Sequence, residues 1–502
     1  MGDRRGFILI TTFIMMIVLT VMVSSVLFLL SSEIKDTGGQ VNDYKLLALA
    51  DAGVDRGYRA LRDDYITNTQ TGTADLRGNT ASGTAGTATT RPYIRYYNEG
   101  SVLSMAASGA GTTAILQNFD TNYLNTRITN VKIGCRYAKS ATGSTSPILT
   151  ITYKTTAAFP DANSSTFSTT VPNSTAYNTV PFTTLGATVM DITANRTWTW
   201  DIINSANFQI RATASGSNNR SVNVDYLYLE VTYGIDTLTE SWNNASYTAL
   251  FPITLGSGTI QSAVITDEAS KVHLNYASQA LIQNLLTNLS IASASTKAAA
   301  VITYRGAALT NPFDSVEELQ QVPGITASDY TAVKNYFTAY SFINTNSNRP
   351  TAARAPININ TAPFATIKAI FDPLTLGAGD STSLANDIIA TRPFTCFYNS
   401  NSATDFFDFV NARAYLTATE RLNVLNNADA SILPPNGGTG TVTGSRTTEF
   451  CYASTAFNIN SLARIGTRNF RVNTVRNSSG GSTFTNYVSD TSSVGWRAEN
   501  FE

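Results

Sequence analysis

Residues 7 to 30, FILITTFIMMIVLTVMVSSVLFLL, form a run of twenty-four positions without a charge. A chain with such a run must place it in lipid or bury it on every side. As a helix it would be about 36 Å long at 1.5 Å per residue, enough to cross the hydrocarbon of a bilayer with some tilt. Arg4 and Arg5 stand just ahead of it, and paired cations there favour a cytoplasmic amino end. A secretory signal would have an apolar core of about 7 to 15 residues followed by a small-x-small cleavage site. This run is longer and passes into polar helix. A single amino-terminal membrane helix is therefore expected.

The residues in front of it carry a resemblance. Arg4-Arg5-Gly6-Phe7-Ile8-Leu9-Ile10 resembles the leader of type IV prepilins and pseudopilins. That resemblance implies that a prepilin peptidase cuts between Gly6 and Phe7 on the cytoplasmic side and that Phe7 becomes a methylated amino terminus. A plain membrane anchor is the other reading of the same residues. The fifth residue of the processed chain would be Thr11, where most pilins have a glutamate. A terminal ammonium among apolar helices costs on the order of several kcal/mol unless a carboxylate compensates it. A subunit with nothing added before it has no such neighbour to neutralise. Loss of the glutamate is characteristic of the K-type minor pseudopilin of type II secretion, which stands at the filament tip. One tolerated substitution in an anchor without a filament role is the alternative.

Charged residues make up 14% of the 502 residues, and the formal net charge is −1. Thr, Ser, Asn and Gly are abundant, which suits an exported, β-rich protein, and no basic footprint for nucleic acid is present. The cysteines are Cys135, Cys396 and Cys451. In an oxidising periplasm a Cys396–Cys451 bridge would leave Cys135 free; three buried thiols are the alternative. The single histidine, His273, rules out zinc sites built on several histidines and reads as a hydrogen-bonded structural residue. With no CxxC pair, Walker loop or HExxH, the chain reads as a non-enzyme.

Along the chain, Leu47, Ala50, Val54, Tyr58 and Leu61 recur at helical spacing between Asp51, Asp55, Arg56, Arg59 and Arg62. They predict an amphipathic extension of the membrane helix that lays one stripe on a globular head. LALADAGVDRGYRAL also looks like the early helix of secretion protein K and of the related pilus-assembly protein X. Residues 66 to 90 are nearly all Thr, Gly, Ala, Asn and Ser and predict a linker or surface loop. Residues 118 to 233 hold alternating runs such as FQIRATA, with Phe208, Ile210 and Ala212 on one face, and predict an inserted β-sandwich. Within it Trp198 and Trp200, two apart on an expected strand, form either a sugar-stacking platform or part of the core.

Beyond the insertion, ITDEASKVHLNYA, with Asp267, Glu268, Lys271, Leu274 and Asn275, resembles the signature that opens the periplasmic core of secretion protein K. In NPFDSVEELQQVPGITASDYTAVKNYF, Ser315 with Glu318 and Thr326 with Asp329 predict two capping boxes, and Pro323-Gly324 separates the two helices. The product resembles the helix-hairpin-helix lobe of that family. Acidic neighbours Asp314, Glu317, Glu318 and Asp329 would repel a phosphate, so packing against protein is the expected use. APININTAPF, with Asn358, Asn360, Thr361 and Ala362, matches a further family segment, and SLANDIIATRPF with ATDFFDFV predicts a second, degenerate copy of the lobe.

The expected fold is thus α+β, a pilin-like long amino-terminal helix with a β-sheet head, a helical lobe and an inserted β-sandwich. The parts are a prepilin leader (1–6), the transmembrane and amphipathic helix (7–65), a linker with first head strands (66–117), the sandwich (118–234), pilin-like core strands (235–276), helical lobes (277–425) and carboxyl-terminal sheet strands (426–502). The resemblance implies a minor pseudopilin in the bacterial inner membrane with its head in the periplasm, later part of a filament tip. Its partners would be the prepilin peptidase, other minor pseudopilins or pilins and the inner-membrane assembly platform, with no nucleic acid. The resemblance implies calcium as a ligand of the head, with Asp267, Glu268 and Asp314 among the acidic residues able to supply oxygen; no site is assigned to it. A tip subunit of a surface pilus with an adhesive sandwich, and a membrane-anchored lectin or hydrolase, are the alternative functions.

Overall fold

The structure is a computed structural model that describes residues 4 to 499 apart from short stretches, of which 181–190, 342–354, 429–447 and 478–496 are the longest. One helix, α1 (Arg4–Thr67), runs unbroken for 64 residues, about 96 Å at 1.5 Å per residue. Its stretch Thr12–Glu33 has a mean hydropathy of 2.8 and is wholly unburied. The same helix therefore carries the apolar run, long enough to cross a membrane, and the amphipathic run.

At the end of α1 the chain enters a β-sandwich of two five-stranded sheets. One holds β1 (Thr71–Leu76), β3 (Leu103–Ala106), β5 (Ile128–Lys139), β8 (Asn178–Val180) and β10 (Ser221–Gly234). The other holds β2 (Thr80–Gly83), β4 (Thr112–Gln117), β6 (Ile148–Lys154), β7 (Phe167–Thr170) and β9 (Gln209–Ser215). Phe208, Ile210 and Ala212 face the core with no exposure, as the period-two pattern requires. The segment expected to be a linker with first head strands, 66–117, contains β1 to β4, so the sandwich begins at Thr71 rather than at 118. Its small polar residues form strands by pairing with more apolar partners, β1 with β10 and β2 with β4. Local composition did not carry that information.

The short helix α2 (Trp200–Asn204) lies within the sandwich and α3 (Ala245–Thr248) follows it. A third five-stranded sheet then assembles from distant segments. Its order is β11 (Ile253–Leu255), β12 (Gly258–Asp267), β17 (Ala456–Ile465), β18 (Arg468–Asn477) and β19 (Arg497–Glu499). All its pairings are antiparallel. Leu46, Ala50, Val54 and Leu61 of α1 share one core with Trp242, Ile265, Phe457, Ile459, Phe470 and Val472 of and around this sheet.

Between β12 and β17 lie two copies of one helical lobe. In the first, β13 (Val272–His273) pairs in parallel with β14 (Phe337–Thr338); in the second, β15 (Ile357–Asn358) pairs in parallel with β16 (Phe450–Cys451). Two residues after each first strand, an asparagine grips both backbone groups of a phenylalanine. Asn275 Nδ2 donates to Phe313 O and Asn275 Oδ1 accepts from Phe313 N at 2.9 and 2.8 Å. Asn360 does the same to Phe394 at 2.9 and 2.8 Å. Helices α4 (Gln279–Asn288) and α5 (Ala294–Arg305) correspond to α7 (Phe364–Phe371) and α8 (Asp380–Thr391). The arginines at the end of the second helix of each pair, Arg305 as its last residue and Arg392 as its cap, donate to carbonyls of Ala277 and Ala362.

Each lobe closes with a helical hairpin. In the first, a 3₁₀ turn (Val316–Gln321) leads through Gly324, at φ +86, into α6 (Ala327–Val333). Thr326 and Asp329 cap α6 reciprocally at 2.9 and 3.1 Å. For the 3₁₀ turn, Glu318 accepts from the amides of Asp314 and Ser315. In the second lobe, α9 (Phe406–Asn411) precedes α10 (Ala418–Ala428), where Thr417 and Glu420 repeat the box. The sandwich and both lobes share one continuous core.

Candidate functional site

Two features of α1 mark it as the candidate site. Toward the sheet, its buried residues recur every three to four positions, and two of them are glycines. A Cβ on Gly53 would lie 2.1 Å from Ser461 Oγ, and one on Gly57 would lie 2.8 Å from Ile459 Cγ2. These glycines let the helix backbone rest directly on β17. On the side of this contact nearer the apolar run, Asp43 and Arg468 pair at 2.7 Å across helix and sheet. On the other face, Tyr44 is 74% exposed and Val41 44%. Together with the bare stretch Thr12–Glu33, these residues leave a long apolar surface on α1 that its own head does not cover.

At the far end of α1 stands a group of carboxyls. Asp64 in its last turn meets Asp236 and Glu240 of the segment leaving the sandwich, with ligand oxygens within 4.8 Å of one another. Asp64 and Glu240 are buried and Asp236 half-buried. Burial, then a hydrogen bond with Asp64, then the charge of Asp236 push Glu240 far above the usual carboxylate range. Burial likewise raises Asp236, partly offset by the amide of Ser454. An all-oxygen donor set of this kind suits a hard cation such as calcium. Without a cation, burial and mutual repulsion keep Glu240 and Asp236 protonated well above the usual carboxylate range.

The neighbouring Asp267 is satisfied by protein. Its Oδ1 accepts from Ala269 N at 2.7 Å, and its Oδ2 accepts from Ser454 Oγ at 2.6 Å, Asn358 Nδ2 at 3.2 Å and Thr361 Oγ1. Burial nonetheless lifts its pKa to about 6. Of the other acidic residues considered for calcium, Glu268 is paired with Lys271 and Asp314 is exposed. None of these three joins the Asp64 group.

The remaining candidate residues stand as follows. Gly6, Phe7 and Thr11 lie in α1, with side chains outside the described residues. Trp198 and Trp200 are 7% and 4% exposed. Trp198 Nε1 donates to Ile192 O at 2.9 Å, and Trp200 Nε1 to Thr126 Oγ1 at 2.9 Å. They are core residues and offer no stacking face; Trp200 opens α2 rather than lying on a strand. Cys396 and Cys451 are free and buried, as is Cys135, so the expected bridge is not formed. His273 is 3% exposed, and burial lowers its pKa to about 3. The glycine contacts and the Asp64 group escaped sequence reasoning. Residues 64 and 236 meet only because the sandwich leaves the chain where it entered it, with Ile235 N bonded to Gln70 O at 3.2 Å.

The sandwich is fixed to the second lobe. Tyr233 OH donates to Thr395 O at 2.8 Å, Asp75 N to Tyr398 O at 3.0 Å and Asn399 Nδ2 to Thr73 O at 2.8 Å. A Cβ on Gly72 would lie 2.1 Å from Thr395 O. The chain enters and leaves the sandwich at the end of α1 opposite the apolar run.

No family model matches the chain, and no curated protein matches it. Among solved structures, a chain of the GspK–GspI–GspJ complex from the enterotoxigenic Escherichia coli type 2 secretion system is similar. It is 16% identical, with 49% of this chain and 82% of that chain covered and a TM-score of 0.31.

Proposed function

We propose that this chain is a non-enzymatic minor pseudopilin of a type II secretion system, held at the tip of a short periplasmic filament and nucleating it with other minor pseudopilins. The observation that carries this reading is the division of α1. One face is locked to the head through Gly53 and Gly57, while the apolar run and the Val41–Tyr44 side are left bare. A helix of this kind first sits in lipid and then packs against sister helices. Processing between Gly6 and Phe7 by a prepilin peptidase would release it from the inner membrane, and an assembly platform would move it outward. Thr11 in place of a glutamate fits a subunit with nothing ahead of it.

Calcium belongs to the same reading. Asp64, Asp236 and Glu240 would hold it at the joint where α1, the sandwich and the sheet meet, fixing the head's orientation on the helix. A tip subunit of a surface pilus is the second reading, favoured by a sandwich that departs from the end of α1 remote from the membrane run. With Trp198 and Trp200 in the core, any adhesive contact would use another face. Deletion in the native host separates the two: loss of protein export with adhesion intact supports the first, and loss of adhesion with export intact supports the second.

A further inference from the structure

The two lobes differ at one point that their shared geometry makes conspicuous. By strand register, His273 occupies in the first lobe the place of Asn358 in the second, since each is the second residue of its strand and pairs with Thr338 and Cys451 respectively. Three residues beyond those partners come Ser341 and Ser454. The acceptor halves match as well: His273 Nδ1 accepts from Asn275 N at 3.1 Å, and Asn358 Oδ1 accepts from Asn360 N at 2.9 Å. In the second lobe the outer groups converge. Asn358 Nδ2 and Ser454 Oγ are 2.9 Å apart, and both donate to Oδ2 of Asp267.

The first lobe has the donors without the carboxylate. His273 Nε2 and Ser341 Oγ are both buried, and neither has a hydrogen-bond partner among the described residues. Because Nδ1 accepts, the ring proton sits on Nε2, so Nε2 is a donor. Two buried polar groups left unmatched at corresponding positions are costly, and a shared acceptor removes both costs at once. The guanidinium of Arg305 acts electrostatically on His273 and so contributes positive potential there.

We propose that the first helical lobe binds one compact hydrogen-bond acceptor, a water molecule or a small monovalent anion, between Nε2 of His273 and the hydroxyl of Ser341. It stands where the second lobe places the Asp267 carboxylate. The positive field of Arg305 favours the anion.

His273 is the only histidine in the chain, so nitrogen-15 histidine labelling of the full chain in detergent gives one imidazole whose signals need no assignment. The expected result is a neutral ring protonated at Nε2, with a slowly exchanging, downfield proton that shifts in Ser341→Ala. Movement of that signal on chloride titration identifies an anion; a bonded signal indifferent to chloride identifies water. Ser341→Asp supplies a built-in carboxylate and should abolish any chloride response. A proton on Nδ1 overturns the proposal. So does a Nε2 proton moved upfield by the ring of Tyr276, which lies edge-to-face with His273 at 5.2 Å. A protein atom within bonding distance of Nε2 in an experimental density map of the full chain overturns it too. Should Ser341→Ala not fold, the wild-type spectrum with and without chloride still decides.

Discussion

Gly53 lies so close to Ser461 that a Cβ on the glycine would stand 2.1 Å from the serine hydroxyl oxygen. Helix α1 and strand β17 are therefore in backbone-to-side-chain contact, and the head rides on the helix as one body. A leucine at Gly53 must push the helix off the sheet. Overpacking of this kind costs about 1–3 kcal/mol, against a gain of about 1 kcal/mol in helix propensity. Gly53→Leu should lower the midpoint of denaturant unfolding, while Ala48→Leu on the exposed side should change stability by no more than about 0.5 kcal/mol. Equal effects from the two would mean that the close contact is absent.

The asparagine clamps should matter equally in the two lobes. Asn275→Ala or Asn360→Ala removes two buried hydrogen bonds and strands a backbone amide and carbonyl of Phe313 or Phe394. Each stranded group costs about 1–3 kcal/mol, so either variant should lose about 2–5 kcal/mol by equilibrium unfolding. A loss confined to one lobe would show that the copies are not energetically equivalent.

Asp267 should make stability depend on pH. Its folded pKa of about 6 lies above the ordinary 3.8, so its contribution is fully present below about pH 4 and is lost as pH rises through 6. A carboxyl raised by that much contributes about 3 kcal/mol while it stays protonated. The difference in stability between wild type and Asp267→Asn should therefore change by that amount from pH 4 to pH 7. A pH-independent difference contradicts it.

The carboxyl group at the end of α1 should respond to calcium. If Asp64, Asp236 and Glu240 hold the ion, calcium at 100-fold its dissociation constant adds about 2.7 kcal/mol and raises the melting midpoint of wild type. Glu240→Gln should abolish the rise. No rise in wild type would leave Glu240 and Asp236 as a protonated pair. In that case its stabilising contribution, like that of Asp267, declines as pH rises, because burial lifts the folded pKa of both Glu240 and Asp236.

Trp198→Ala should behave as a core deletion, costing about 3–5 kcal/mol, and the tryptophan emission of the native chain should be blue-shifted and poorly quenched. Ready quenching by iodide of every indole would contradict the buried positions of Trp198 and Trp200.

What could be read from sequence was whatever a single segment encodes. The charge-free run, the stripe through Ala50, Val54 and Leu61, the Thr326–Asp329 box and the alternation of Phe208, Ile210 and Ala212 each specify their own local structure. The echo between the two lobes was also legible, because SLANDIIATRPF and ATDFFDFV repeat the pattern of KAAAVITYRG and PFDSVEEL. Features made by pairing over long distances were not. Residues 71 to 83 look like linker because their apolar partners lie in β10 and β4. Two tryptophans two apart suggested a strand face, yet Trp200 begins a helix capped by Thr199. The Asp64 group joins residues more than 170 positions apart, and no local pattern marks it.

In the proposed function, α1 begins as a peptidase-processed membrane helix and ends in a filament. Intact mass and amino-terminal sequencing of the chain from its native host, with the prepilin peptidase active and deleted, test it most directly. Loss of residues 1 to 6 and a methylated Phe7 in the active strain, with the full chain in the deleted one, is the expected result. An uncut Met1 terminus in both strains contradicts the account.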